Sequence, residues 1–180
     1  MKGIVGYDKI LADDIPQIAF IGRSNVGKSS LINLLTNSKI ARTSSFPGRT
    51  QEINIFLIND SFYLVDIPGY GFARLSSGGR EKIGGMIDNY LFNTSHNQKK
   101  IILIIDANIG FTETDLSMLD ELKKNNKNFL IIANKIDKMN QSESYKKLKE
   151  IEEQSEGQLV IPFSTKKKKG LETLLKKIFS

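Results

Sequence analysis

The sequence lacks cysteine altogether, has one histidine and four prolines, and contains no apolar run of membrane-spanning length. The absence of cysteine excludes disulfides and thiolate chemistry, and it suits a reducing cytosol. Without about 20 consecutive apolar residues, we expect no insertion into a membrane. The first residues soon reach Asp13 and Asp14, which argues against a secretory signal and makes the cytoplasm the expected location. His96 has no nucleophile or metal-ligand cluster near it in sequence, so we expect it at the surface.

The length and composition indicate one soluble globular domain. The chain has 180 residues, of which 39% are hydrophobic and 26% charged. We assign residues 1–15 to an N-terminal extension and 16–180 to a single domain. The net charge of +6 permits a polyanionic partner such as RNA, although many soluble proteins are equally basic. No feature encodes a dimer, so we expect a monomer.

A glycine-rich string, G-x-x-x-x-G-K-S, occupies Gly22–Ser29 between an apolar run and a helical pattern. In this context the string predicts a phosphate-binding loop, because its backbone N–H groups and the following helix terminus form an anion site. Lys28 would reach the β- and γ-phosphates, and the Ser29 hydroxyl would ligate Mg²⁺. The predicted nucleotide contacts in this region are Gly22, Arg23, Ser24, Asn25, Val26, Gly27, Lys28, Ser29 and Ser30.

Apolar runs alternate with helical patterns along the chain, which predicts an α/β fold. The runs expected to form strands are 18–21, 53–58, 62–65, 101–105, 129–133 and 159–163. The segments expected to form helices are 115–124, 142–153 (with Tyr145, Leu148 and Ile151 on one face) and 171–178. A tight turn at residues 59–61 predicts an antiparallel hairpin. We therefore expect a three-layer fold with a mostly parallel six-stranded sheet, one antiparallel hairpin and helices on both faces. Residues 38–51 and 71–85 are expected to be mobile loops.

A second phosphate element follows the strand at 62–65. Asp66 at the strand end is placed to hold Mg²⁺ through water. Gly69 would bring its N–H close to the γ-phosphate, and loss of that phosphate would release the following loop. Ile67 and Pro68 complete the predicted contacts of this element. Alone, D-x-x-G is more often a plain turn, so its position after the phosphate loop carries the prediction.

Two further strand ends carry residues suited to recognising guanine. Asp137 can accept hydrogen bonds from the guanine N1–H and amine, whereas adenine would leave this carboxylate unpaired. Asn134 can reach N7, and the stem of Lys135 can cover the base. The loop Ser164, Thr165 and Lys166 would offer a backbone N–H to the guanine O6. The order of the four elements predicts a protein that binds GTP and GDP.

The strings Gly22–Ser29, Pro47–Gln51 and Asp66–Ala73 resemble the EngB (YihA/YsxC) family of bacterial GTPases, in the TrmE–Era–EngA–YihA–septin-like branch. The resemblance implies a role in assembling the large ribosomal subunit and an association with normal cell division and septation. It also implies that Thr50 is the switch threonine, contacting Mg²⁺ and the γ-phosphate. The nucleotide contacts it adds are Gly48, Arg49, Thr50 and Gln51. Many relatives carry Thr at position 134, where Asn restores the commoner GTPase form.

The residue after D-x-x-G is Tyr70, where Ras-type GTPases place a glutamine that orients the attacking water. An aromatic ring cannot perform that task, so we expect slow intrinsic hydrolysis that needs another group. One candidate is K⁺, because Asn25 occupies the position at which potassium-activated relatives ligate the ion. The alternatives are that Asn25 only braces the loop, or that a partner completes the site.

We therefore predict an Mg²⁺-dependent GTPase switch in which Lys28, Thr50 and Gly69 are catalytic. The predicted metal ligands are Ser29, Thr50 and Asp66. The expected partner is a precursor of the large ribosomal subunit, through rRNA and ribosomal proteins, and not DNA. Two alternatives remain open from the sequence: a GTPase acting on division-machinery proteins without contacting the ribosome, and a phosphate-loop kinase.

Overall fold

The computed structural model describes residues 2–4, 14–41, 52–71, 77–92 and 96–178. Within these residues the strands are β1 (Lys2–Ile4), β2 (Gln17–Gly22), β3 (Ile53–Ile58), β4 (Phe62–Asp66), β5 (Gln98–Asp106), β6 (Phe129–Asn134) and β7 (Val160–Pro162). The helices are α1 (Lys28–Leu35), α2 (Ser77–Phe92), α3 (Glu113–Lys124), α4 (Gln141–Gln154) and α5 (Leu171–Ile178), with a short 3₁₀ turn at Ile136–Lys138. The predicted α/β class is confirmed.

The strands form one sheet in the order β1-β3-β4-β2-β5-β6-β7. From β4 to β7 all neighbours are parallel, and β3 pairs antiparallel with β4 as the predicted hairpin. The described residues hold seven strands rather than six, because β1 pairs antiparallel with β3, Lys2 opposite Ile55. Three residues are too few for a period-two pattern, so sequence analysis left this strand in the N-terminal extension. By pairing with β3, β1 satisfies backbone groups of β3 that would be exposed if β3 were the edge strand.

Side chains from each central strand point alternately to two apolar layers. In β5, Ile101, Leu103 and Ile105 join the core beneath α2, α3 and α4, whereas Ile102 and Ile104 join the core beneath α1 and α5. Because β5 is buried on both faces, it has the continuous apolar sequence typical of a central parallel strand. The three predicted layers are therefore present.

Helix α2 corrects the expectation of a loop over residues 77–85, whereas residues 72–76 of that predicted loop lie outside the described residues. The helix starts at Ser77, and Ile83, Met86, Ile87 and Tyr90 recur at helical spacing and are buried against the sheet. The glycines at its start concealed this pattern, and packing of the apolar face offsets their poor helix propensity. At 16 residues α2 is the longest described helix, and none of the described helices is long and apolar enough to cross a membrane.

The carboxyl ends of the parallel strands meet at one edge of the sheet. This edge receives the loop after β2, the residues after β4, Asp106 at the end of β5, and the loops after β6 and β7. Ligands of open α/β sheets bind at such an edge, at the point where the strand order reverses, which here is β2. The topology therefore gathers at one place residues that lie more than 100 positions apart in the sequence.

Candidate nucleotide-binding site

The phosphate loop joins the end of β2 to the start of α1. Gly27 has a φ of 107°, and a Cβ atom there would lie 2.4 Å from Nδ2 of Asn134. Both the backbone conformation and the contact therefore require glycine. Helix α1 begins at the next residue, Lys28, so its unpaired N–H groups and its positive dipole end face the loop. The Ser24 hydroxyl oxygen beside them is buried and has no hydrogen-bond partner among the described residues. The loop is thus a cradle with polar groups available to an anion.

Lys28 and Asp66 bring opposite charges into this cradle. Lys28 Nζ donates a hydrogen bond to the Gly22 carbonyl at 3.2 Å, and Lys28 is almost completely buried. Burial lowers the pKa of Lys28, and the nearby Asp66 carboxylate opposes that shift. Burial likewise raises the pKa of Asp66, against the influence of Lys28 and of a hydrogen bond from Ser29. Both charges are costly without a ligand, which is typical of a binding site.

The oxygen atoms of Ser29 and Asp66 have the chemistry that Mg²⁺ prefers. Ser29 Oγ donates to Asp66 Oδ2 at 3.2 Å, and Asp66 is 3% exposed. The other carboxylate oxygen, Oδ1, is buried and has no partner among the described residues. A hard cation taken up with its waters and phosphate oxygens would satisfy this atom, so the donor set fits Mg²⁺.

The end of the D-x-x-G element lies against the phosphate loop. A Cβ on Gly69 would be 3.0 Å from the Ser24 nitrogen and 3.1 Å from Lys28 Nζ. Ile67 is fully buried and donates its N–H to the Phe20 carbonyl at 3.1 Å, which fixes the chain leaving β4. Gly69 is therefore held where its N–H can reach a phosphate bound in the loop.

A buried carboxylate that sequence analysis missed anchors the next residue. Asp115, in the first turn of α3, is 0% exposed, and its Oδ1 accepts a hydrogen bond from the Tyr70 hydroxyl at 2.8 Å. Its Oδ2 accepts from Arg23 Nε at 2.9 Å and from the Thr112 N–H and hydroxyl at 3.0 and 2.7 Å. The Arg23 side chain therefore points to α3, so only its backbone remains a candidate phosphate contact. The string T-x-x-D at 112–115 is a capping box, a signal that sequence analysis did not use.

Asn134 connects the loops of the site to one another. It is 2% exposed, and its Nδ2 donates to the Val26 carbonyl at 2.8 Å. Its Oδ1 accepts from the Thr165 N–H at 3.2 Å and from the Thr165 hydroxyl at 3.0 Å. In this structure the side chain ties the phosphate loop to the loop after β7, and its contact with N7 stays a prediction. Positioning of both loops is the role that its contacts indicate.

Asp137 and Ser164 face each other across the base side of the site. Ser164 Oγ donates to Asp137 Oδ1 at 2.5 Å, and this hydrogen bond is the main cause of the lowered pKa of Asp137. The carboxylate is therefore ionised at neutral pH, as acceptance of hydrogen bonds from guanine requires.

Lys135 has a left-handed backbone, and its Nζ reaches Asp106 Oδ2 at 2.8 Å and the Asn25 carbonyl at 2.5 Å. The stem of Lys135 thus spans from β6 to the phosphate loop, and its role in covering a base stays a prediction. Asp106 is a further residue absent from the sequence prediction, although its position at the end of β5 marks it as a candidate.

The remaining predicted contacts divide between described and undescribed residues. Asn25 is exposed with a φ of 65°, and its K⁺ role stays a prediction. The predicted switch residues Gly48, Arg49, Thr50 and Gln51 lie outside the described residues.

The fold and the site define a nucleotide-binding protein of the phosphate-loop class, and comparison with known proteins narrows this class. Residues 17–135 match a family model described as 50S ribosome-binding GTPase. A probable GTP-binding protein EngB of Metamycoplasma arthritidis is 46% identical over 175 residues, covering 97% of this chain and 95% of that protein. Another from Clostridium kluyveri is 43% identical over 164 residues, covering 89% of this chain and 83% of that protein.

Solved structures agree with the sequence matches. A crystal structure of a probable GTP-binding protein EngB aligns with a TM-score of 0.76 at 27% identity, covering 91% of this chain and 96% of that one. A variant of Aquifex aeolicus Era bound to GDP and AlF₄⁻ aligns with a TM-score of 0.75 at 25% identity, covering 90% of this chain and 55% of Era. The chain belongs to the EngB family of GTP-binding proteins, which are GTPases.

Proposed function

We propose that this protein is an Mg²⁺-dependent GTPase switch in the assembly of the large ribosomal subunit, acting as a cytoplasmic monomer. The observation that carries the proposal is the meeting of Lys28, Asp66 and Gly69 at one sheet edge with the Asp137–Ser164 pair. The description of the matching family as 50S ribosome-binding supports the choice of partner. The link to cell division and septation rests on the family resemblance alone.

Each part of the site has a task in binding the triphosphate. The loop N–H groups and Lys28 would hold the β- and γ-phosphates, and bound phosphate would compensate the buried ammonium charge. Ser29, Asp66 and Thr50 would hold Mg²⁺, which would neutralise charge on the phosphate oxygens. Asp137 would select guanine, because ATP would leave its carboxylate without donors.

Hydrolysis would depend on positioning rather than on a general base in the described site. Gly69 would offer its N–H to the γ-phosphate. The Tyr70 hydroxyl donates its hydrogen bond to Asp115 and would not orient the attacking water. With no glutamine after D-x-x-G, unassisted turnover is expected in the range of slow GTPases, roughly 10⁻⁴–10⁻³ s⁻¹. Asn25 would ligate a K⁺ ion that speeds the reaction, which single-turnover rates in KCl and in NaCl would test; equal rates would exclude the ion.

Co-sedimentation with ribosomal subunits tests the proposal. The purified protein would be loaded with GDP or with a non-hydrolysable GTP analogue and centrifuged with separated large and small subunits. We expect sedimentation with the large subunit or its precursors in the GTP-like state only. Absence of binding in both states would overturn the assembly role and favour a switch acting on division-machinery proteins.

A further inference from the structure

Three consecutive surface lysines form a cluster of positive charge. Lys167, Lys168 and Lys169, in the loop after β7, are exposed, and none forms an ion pair with a described residue. By contrast, six lysines elsewhere are paired with carboxylates: Lys123, Lys124, Lys135, Lys147, Lys149 and Lys176. The charge of this loop is therefore not held in ion pairs with described residues, although Lys167 helps to lower the pKa of the nearby Asp137.

The backbone of the loop is fixed, so the three lysines are presented together. The Ser164 N–H donates to the Lys169 carbonyl at 3.1 Å, and the Lys167 N–H donates to Ser164 Oγ at 3.0 Å. Ser164 also holds Asp137, so the same residue anchors the loop and the predicted guanine acceptor. Clustered charges on an ordered loop attract a polyanion at lower entropic cost than charges on a disordered tail.

An exposed aromatic ring lies beside these lysines. Tyr145, in α4, is 73% exposed, and with Lys167 and Lys169 it lines a concavity of about 420 Å³. Sequence analysis placed Tyr145 on one helix face with Leu148 and Ile151, but only Ile151 of the three is buried. Two carboxylates of α4 are already engaged, since Glu150 pairs with Lys147 and Glu153 with Lys149. These two carboxylates therefore pair with lysines of α4 itself and not with the loop.

We propose that Tyr145, Lys167, Lys168 and Lys169 form a docking surface for single-stranded RNA, the lysine–tyrosine surface. The lysines would contact phosphates, and the ring of Tyr145 would stack on an unpaired base, the combination used by proteins that bind single-stranded RNA. An acidic protein partner would contact the lysines, but its binding would not explain the exposed ring of Tyr145. The inference deepens the proposed function, on which it rests, by naming where rRNA would bind.

Fluorescence anisotropy with a labelled single-stranded RNA of mixed sequence tests the surface. The triple variant K167Q/K168Q/K169Q should bind more weakly and reduce the slope of log K against log salt by roughly 2, because three phosphate contacts are lost. The control K124Q/K147Q/K176Q removes the same charge from paired lysines and should leave the slope near wild type. An equal fall in both variants would mean that only net charge matters and would overturn the proposal.

Substitution of the tyrosine separates RNA from an acidic protein. Tyr145→Ala should weaken RNA binding roughly tenfold, while Tyr145→Phe should retain it, because stacking needs the ring and not the hydroxyl. A strong effect of the lysine variant with none of Tyr145→Ala would overturn RNA stacking in favour of an acidic partner. GDP affinity, measured for every variant, should be unchanged.

The two proposals fail in different ways. If the wild type does not sediment with the large subunit, the assembly role fails, whereas anisotropy still decides the surface. If the wild type sediments and the triple lysine variant sediments equally well, the assembly role stands and the lysine–tyrosine surface is overturned.

Discussion

The hydrogen bond between Tyr70 and Asp115 gives the sharpest prediction, for the variant Tyr70→Phe. Among the described residues, the Tyr70 hydroxyl donates the hydrogen bond that Asp115 Oδ1 accepts. Burial raises the pKa of Tyr70 well above its ordinary value, so this hydroxyl remains protonated at neutral pH. A hydrogen bond to a charged group contributes about 1.5–3 kcal/mol. Because Asp115 is fully buried, water cannot readily replace the lost donor. We therefore expect Tyr70→Phe to lower the free energy of unfolding by about 1.5–3 kcal/mol.

Tyr90→Phe is the matched control, because it also removes a buried phenol. The Tyr90 hydroxyl donates to the neutral Gln17 Oε1 at the same distance, 2.8 Å, but far from the phosphate loop. This variant should cost only about 0.5–1.5 kcal/mol, the usual value for a neutral pair. Urea unfolding of both nucleotide-free variants gives the comparison. A smaller loss for Tyr70→Phe than for Tyr90→Phe would refute the argument that Asp115 is a charged anchor.

Nucleotide preference separates the two variants further. If Tyr70 holds Gly69 against the phosphate loop, Tyr70→Phe should weaken binding of a GTP analogue more than binding of GDP, since only GTP has a γ-phosphate. Tyr90→Phe should change neither affinity beyond its effect on stability. Titration with fluorescent GDP and a fluorescent GTP analogue measures both, and an unchanged GTP-to-GDP ratio in Tyr70→Phe would count against the positioning role.

Three further substitutions test other parts of the site. Asn134→Ala removes three hydrogen bonds and should destabilise the protein by about 2–4 kcal/mol in urea unfolding. The exposed control Asn128→Ala should cost less than about 1 kcal/mol. Equal losses in the two variants would contradict the connecting role of Asn134. Gly27→Ala would place a Cβ 2.4 Å from Asn134 and strain a φ of 107°. We therefore expect calorimetry to show at least a tenfold loss of affinity for both GDP and GTP. Affinities equal to those of the wild type would refute this. The lowered pKa of Asp137 means that its ionised form is retained above its folded-state pKa and lost as the pH falls through that value. Ser164→Ala removes the main cause of the lowered pKa of Asp137, so GDP binding should be lost at a higher pH than in the wild type. GDP affinity measured from pH 3 to 7 tests this, and loss of binding at the same pH in both proteins would contradict it.

The elements whose functional residues are contiguous could be predicted from the sequence. The phosphate loop, D-x-x-G, and the Asn134–Asp137 and Ser164–Lys166 strings each lie within a few residues and follow an apolar strand. Local spacing therefore sufficed to place them at one sheet edge, and the hairpin and the three layers followed from periodicity. The family was also evident from these strings, and the comparisons confirm it.

Features that depend on contacts between distant residues could not be predicted from the sequence and follow from the fold. Tyr70 and Arg23 meet Asp115 across 45 and 92 positions, and Asn134 meets Val26 across 108, so no local pattern could assign these side chains their partners. The pairing of β1 with β3 and the helical state of Ser77–Phe92 likewise follow from an open strand edge and an apolar face that packing alone stabilises. Sequence specifies local conformation and residue chemistry, whereas the direction of a buried polar side chain is set by the hydrogen-bonding groups that folding brings around it.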